Sequence, residues 1–261
     1  MEANPPKTWA EFIDVCKKVQ EANAGKPDFI PFCVKDEDWL MNSQIMQCGN
    51  PVISCNEDYS VKAAAWGTEE CAKVAQWWQD MTREGVMKST YNENGVNHFA
   101  SGNAAFFAGS STKIIDWTAS MGDKLGAIEM PYFKEQSLAL GGNVMVILTD
   151  DPQKVEAAWE YVNCLTTAEN NAEFALATGY LPIRKSELTN PDIQKALAEN
   201  ELYSIAFKQL DYTFAYTHFE QMGTMDSLIR NMLNKLEKNR GTSQDLLNKA
   251  VKDLQDEINE G

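Results

Sequence analysis

The stretch from Ala139 to Ile183 constrains the fold of this chain more than any other. Gly141-Gly142-Asn143 opens an uncharged run, Val144-Met145-Val146-Ile147-Leu148, with the composition of a short buried strand. Val155, Trp159, Val162 and Leu165 then recur at helical spacing. A second helix, over about 168–177, is expected to stop at Gly179, with Tyr180-Leu181-Pro182 leaving it extended. A buried strand feeding straight into an amphipathic helix is an α/β unit.

The same alternation appears on both sides. Thr8-Trp9-Ala10-Glu11 is a capping box, followed by Phe12, Val15, Cys16 and Val19 on one face of a helix to about Asn23. Residues 29–34 read as a buried strand, and Trp39 opens a helical stretch to about Gln47. Residues 49–67 read as loop. Thr68 caps a helix with Val74, Trp77, Trp78 and Met81 on its apolar face, and Gly85 ends it. A brief helix carries Val96 and Phe99, and 104–108 and 126–130 read as strands. Ser110-Ser111 leads into a helix with Ile114 and Trp117, a strand–turn–helix corner where free N–H groups face outward. Further helices are expected near 190–199, 201–208, 219–237 and 243–258. Short strands between helices predict α/β architecture with a mostly parallel sheet.

Composition narrows the function. The 261 residues include 23 basic and 38 acidic side chains, a net charge of −15 that repels phosphate backbones and anionic lipid, which argues against a nucleic-acid partner. No apolar run approaches the ~20 residues that span a bilayer. No two of the 6 cysteines have Cys-x-x-Cys spacing and the 2 histidines lie far apart, so no metal site is expected; the even count permits disulfides whose pairings the sequence does not choose, and buried free thiols are the commoner reading in a chain this large. Residues 1–8 have neither a basic n-region nor an apolar h-region, so no signal peptide is read in this chain. No phosphate-cradling Gly-x-x-x-x-Gly-Lys or Gly-x-Gly-x-x-Gly occurs, and no cofactor is expected.

Residues 5–12 (Pro-Pro-Lys-Thr-Trp-Ala-Glu-Phe), 99–107 (Phe-Ala-Ser-Gly-Asn-Ala-Ala-Phe-Phe), Met130-Pro131-Tyr132, Gly141-Gly142-Asn143 and 178–183 (Thr-Gly-Tyr-Leu-Pro-Ile) stand in an order and spacing that resembles a known family. It is that of the family 1 extracellular solute-binding proteins of ABC importers, the maltose-binding-like group, nearest the branch that includes glycerol-3-phosphate-binding proteins. The resemblance covers essentially the whole chain but only the later part of the family's length. It implies a type II periplasmic-binding-protein fold, with two α/β lobes that close on a solute by a hinge motion. Residues 1–136 and 183–261 would form the C-terminal lobe, and 137–182 would be a segment of an N-terminal lobe mostly absent here, with its strand neighbours missing. It also implies a non-enzymatic, extracytoplasmic, monomeric protein that delivers a carbohydrate to permease subunits.

Each candidate contact has a functional and a structural reading. Trp39 is an aromatic platform for a sugar face, with Asp36 and Asp38 as hydroxyl acceptors, or a core tryptophan at a helix start. Ser110 and Ser111 contact a ligand or cap the following helix. Gly141, Gly142 and Asn143 allow close backbone approach to a ligand or make a tight strand entry. Tyr180 contacts ligand, as the matching family tyrosine does, or packs internally. The glycerophosphate branch has a second tryptophan where Asp36 stands, and an arginine whose nearest counterpart here is His218. An anionic ligand needs a guanidinium or ammonium, so a neutral sugar is favoured over a phosphate ester. Two alternatives remain: a carbohydrate-active hydrolase using the Asp36/Asp38 turn, and a cytosolic interaction protein.

Overall fold

Thr8 shows how local sequence sets the architecture. Its hydroxyl accepts from the Glu11 N–H at 3.3 Å while the Glu11 carboxylate accepts from the Thr8 N–H at 3.1 Å, starting the first helix at Trp9. The computed structural model describes residues 4–35, 37–58, 60–89, 94–215 and 218–260. In chain order the elements are α1 (Trp9–Ala22), β1 (Ile30–Val34), α2 (Glu37–Gln47), β2 (Ile53–Cys55), β3 (Val61–Ala64) and α3 (Glu69–Arg83). Then come β4 (Met87–Ser89), α4 (Asn94–Ala100), β5 (Ala104–Ala108), α5 (Lys113–Met121), β6 (Leu138–Leu140) and α6 (Pro152–Leu165). The last are α7 (Ala168–Thr178), α8 (Pro191–Glu199), α9 (Glu201–Lys208), β7 (Thr213–Ala215), α10 (Met222–Glu237) and α11 (Ser243–Glu260).

The chain divides into two compact units. Unit 1 is residues 1–109, 130–140 and 212–261; unit 2 is residues 110–129 and 141–211. Residues 110–129 and 183–211 group with 141–182. The physical reason is local: Gly179 lies against the Ser111 backbone, and α7 packs on α8.

Unit 1 is built on a parallel sheet in the order β4-β1-β5, with Phe32 opposite Met87 and Phe106. Central β1 is buried from Pro31 onward, as expected of a strand covered on both faces. Phe12 of α1 stacks edge-on against Phe32 and Phe106, with centroids at 5.0 and 4.9 Å, and Trp9 meets Trp77 at 5.0 Å. Trp78 and Val74 of α3, Ile229 and Leu233 of α10, and Leu247 and Leu254 of α11 are all buried in a helical layer. Two tryptophan N–H groups in this core are satisfied by α2, which buries its glutamines: Trp78 donates to Gln44 at 2.6 Å and Trp9 to Gln47 at 2.9 Å, while the indole N–H groups of Trp66 and Trp77 are buried without a partner among the described residues. Gln47 in turn donates to the Pro131 and Ser137 carbonyls, both at 3.1 Å, pinning the segment that leads into β6.

Three expected elements differ. Residues 49–67 hold an antiparallel pair, β2 with β3, rather than a loop. Residues 126–130 make no ladder; an isolated Thr8–Tyr132 bridge follows them. The run 144–148 is no buried strand: it makes no ladder, and Val144 and Leu148 are 82% and 93% exposed. Composition alone does not make a strand when nothing lies beside it to pair with.

Unit 2 carries α5 to α9 and no strand among the described residues. Its core is small: Ala172 and Ala175 of α7 close on Ile193 of α8, with Leu176 and Leu197 alongside. Gly179 ends α7 at φ +76°, and a Cβ there would lie 3.1 Å from the Ser111 carbonyl oxygen, so the position requires glycine. Buried Glu187 accepts from the Arg184 N–H at 2.9 Å, and burial raises its carboxyl pKa above the usual range. All 6 cysteines are free thiols; Cys16, Cys33 and Cys71 are buried, while Cys55 and Cys164 are exposed.

Candidate functional site

In unit 1 the candidates gather at the start of α2. Trp39 is half-buried, and its indole N–H donates to the Ala139 carbonyl of β6 at 2.7 Å. Ser43, one turn on, accepts from the Ala139 N–H at 3.0 Å and donates to the Trp39 carbonyl at 3.0 Å. The tryptophan edge is thus spent on the backbone, and its ring is held in a fixed orientation beside β6. β6 itself pairs in parallel with β7, Ala139 opposite Phe214.

Asp38 is engaged by Arg230 of α10 at 3.1 Å, with side chains 16% and 28% exposed. Asp226, one turn before Arg230, completes the cluster; burial, and then the nearby Asp38 charge, push its carboxyl up to about 6 against the pull of Arg230. Sequence reading missed Arg230 and Asp226. Their i, i+4 spacing on an amphipathic helix was the available signal, but the acceptor Asp38 lies too far along the chain to be read. His218 sits exposed between β7 and α10. Asp36 lies outside the described residues.

In unit 2, Ser111, Gly179, Tyr180 and Asn143 form a second set. Ser111 donates to the Gly179 carbonyl at 3.0 Å, and Asn143 donates its amide to the Tyr180 hydroxyl at 2.9 Å. Tyr203 donates to the Tyr180 carbonyl at 3.1 Å, and the Phe174 and Tyr180 rings lie 5.7 Å apart. Neither serine caps α5 by the side chain: Thr112 is its N-cap and makes no such bond. Ser110 instead accepts from the Thr112 N–H at 3.3 Å. Gly141 and Gly142 are exposed, a Cβ on either would meet open space, and neither has positive φ. Nothing among the described residues therefore demands glycine there.

No cluster of His, Cys, Asp or Glu suited to a metal occurs among the described residues, and no helix among them is long and apolar enough to cross a membrane. A parallel sheet covered by helices in unit 1, with the chain passing twice into a second unit and back, is the arrangement of the type II periplasmic-binding-protein fold. Cyclic alpha-maltosyl-1,6-maltose binding protein from Arthrobacter globiformis superposes with a TM-score of 0.82 at 20% identity, covering 99% of this chain and 66% of that one. UgpB from Mycobacterium tuberculosis, solved in complex with glycerophosphocholine, gives 0.78 at 18% identity, covering 98% and 64%.

The chain belongs to the bacterial extracellular solute-binding protein family, whose model matches residues 1–200. By sequence it is 21% identical over 193 residues to the sn-glycerol-3-phosphate-binding periplasmic protein UgpB of Rhizobium meliloti (strain 1021). That match takes in 69% of this chain and 43% of the relative, so it spans less than half the length of that protein.

Proposed function

We propose that this chain is the larger part of an extracytoplasmic binding protein that captures a sugar or oligosaccharide and delivers it to an ABC importer's permease subunits. The observation that carries the reading is the Trp39 clamp: an aromatic ring immobilised by Ala139 and Ser43, next to the Asp38–Arg230 pair. Sugars are recognised by a flat apolar face stacked on an indole and by charged planar groups that hydrogen-bond the hydroxyls. In this reading the solute lies in a cleft between lobes. Its contacts are Trp39, Asp36, Asp38, Ser110, Ser111, Gly141, Gly142, Asn143, Tyr180 and His218. Residues 137–182 belong to an N-terminal lobe completed by polypeptide outside this chain. The protein works as a monomer, needs no cofactor and turns over no substrate.

A neutral sugar is favoured over the glycerophosphate class found in the named UgpB relatives. Arg230 already faces Asp38, and Asp226 adds a second nearby carboxylate, so the cluster offers a phosphate no excess positive charge. The same pairing tells against glycoside hydrolysis, since Asp38 is committed to a guanidinium rather than poised to donate a proton.

Isothermal titration of the full-length gene product against mono- and oligosaccharides and glycerol 3-phosphate tests the reading. Heat with a sugar, lost in Trp39→Ala and absent with glycerol 3-phosphate, is the expected result. Binding of the phosphate ester alone, or release of cleaved sugar, overturns it. The 261-residue chain by itself is expected to bind weakly or not at all, because burial from both sides is lost.

A further inference from the structure

Tyr180 sits where a helix has ended and no regular ladder holds the chain. α7 stops at Gly179, whose N–H still donates to the Ala175 carbonyl at 2.9 Å and whose φ of +76° turns the backbone out of the helix. Carbonyls past the end of a helix have no intrahelical partner. Here the next two each take a side-chain donor, from different parts of unit 2. Ser111 donates to the Gly179 carbonyl at 3.0 Å, and Tyr203 of α9 donates to the Tyr180 carbonyl at 3.1 Å.

Tyr203 is built in firmly. It is 4% exposed, and the side chain of Asn200, the N-cap of α9, accepts from its N–H at 3.1 Å. Burial, and then the nearby Glu187 charge, push its phenol up to about 12, so the hydroxyl keeps its proton and remains a donor well above neutral pH. A buried tyrosine hydroxyl needs a partner, and this one has the backbone of the residue that carries a candidate ligand contact.

We propose that Tyr203 is a positioning residue for solute recognition: with Ser111 it fixes the Gly179–Tyr180 backbone and so aims the Tyr180 hydroxyl as a hydrogen-bond donor. The inference rests on the reading of Tyr180 as a contact. The Tyr180 hydroxyl accepts from the Asn143 amide at 2.9 Å and makes no other hydrogen bond among the described residues, so its own proton is available to an acceptor such as a sugar oxygen. Its ring lies 5.7 Å from that of Phe174, which is itself 51% exposed, so side-chain packing holds it loosely and the backbone anchors carry the aim. The phenol oxygen is at the far end of a rigid ring, where a small backbone rotation moves it by more than a hydrogen bond tolerates.

Tyr203→Phe in the full-length gene product tests this, since it removes one hydroxyl and keeps the packed ring. With 3-fluorotyrosine incorporated, and the Tyr180 resonance assigned by its loss in Tyr180→Phe, that signal should shift and broaden in Tyr203→Phe without any sugar present. With maltotriose as the neutral oligosaccharide probe, affinity should fall about threefold to tenfold, the worth of one net hydrogen bond. The loss should vanish in a Tyr180→Phe background, because the two residues act as one unit. An unmoved Tyr180 resonance overturns the proposal. So does a loss of affinity as large in the Tyr180→Phe background as in the wild type, which would make Tyr203 part of the scaffold only. A wild-type protein that ignores maltotriose and every other sugar counts against sugar as the solute, and the Tyr180 resonance then decides the role of Tyr203 by itself.

Discussion

Unit 1 and unit 2 obey the same local rules and end in different packing. Both start helices with capped hydroxyls and carboxylates, Thr68 at α3 and Asp151 at α6. In unit 1 those helices close on a three-stranded sheet, and Trp9, Trp66 and Trp78 are almost wholly buried. In unit 2 the buried apolar core is the small alanine–isoleucine seam of α7 and α8, while Trp159 stands in solvent. The difference teaches that amphipathic patterning specifies a face to be covered without supplying what covers it.

The largest effect that would sharpen this contrast lies in the unit 1 core. Trp78→Ala removes a fully buried ring and leaves the Gln44 carbonyl without its donor, and should cost about 4 kcal/mol. Urea unfolding followed by tryptophan fluorescence measures it; a loss below about 1 kcal/mol would mean that unit 1 is no better packed than unit 2. Next comes Gln47→Leu. It leaves the Trp9 N–H and the carbonyls of Pro131 and Ser137 unsatisfied in the interior, a cost of about 3 kcal/mol, and should loosen β6. Faster amide exchange at Ala139 is the readout.

Gly179→Ala tests the one place where unit 2 is tightly built. A non-glycine at φ +76° with Cβ pressed on the Ser111 and Thr112 backbone should cost about 2 kcal/mol. The loss should register as faster exchange in α7 and α8 and leave β1 unchanged; an equal loss in β1 would merge the two units into one cooperative block.

How much of this was legible follows the same division. Chain-local signals were readable: the Thr8 capping box, the Thr68 cap, the Gly179 stop and the helical periods of α10 and α11 all appear where expected. What could not be read depends on partners distant in sequence. α2 looks too polar for a core, yet Gln44 and Gln47 are buried because Trp78, Trp9 and two remote carbonyls meet them there. β2 and β3 were missed because each strand is short and neither alternates cleanly. The 144–148 run was misread in the opposite sense, its composition being that of a strand whose neighbours this chain does not provide. For the candidate site, Trp39 and the Ser111–Tyr180 corner were visible as residue types. The Ala139 acceptor and the Arg230 partner were not.

A smaller effect concerns charge in unit 1. Asp226 titrates near 6 when folded against an ordinary 3.8, so the native state holds its proton more tightly than the unfolded chain does. Its contribution is therefore full below about pH 4 and is lost as pH rises through 6. Because the group is partly exposed, screening reduces the effect to about 1 kcal/mol. Asp226→Asn should raise stability at pH 7 by about that amount and flatten the slope between pH 4 and 7. An unchanged slope would show that Arg230 already compensates the charge.

The smallest expected effect bears hardest on the comparison. Leu148→Ser alters a side chain that is 93% exposed, so in the 261-residue chain it should change the unfolding free energy by no more than about 0.5 kcal/mol. The same exchange at a buried leucine such as Leu233 removes a packed side chain and should cost several times more. If Leu148→Ser proves as costly as a buried substitution in the isolated chain, that leucine is covered in solution by the chain itself, and the distinction between a closed unit and an open one fails. If it is silent in the isolated chain and costly in the full-length gene product, the missing cover has been located by its energy.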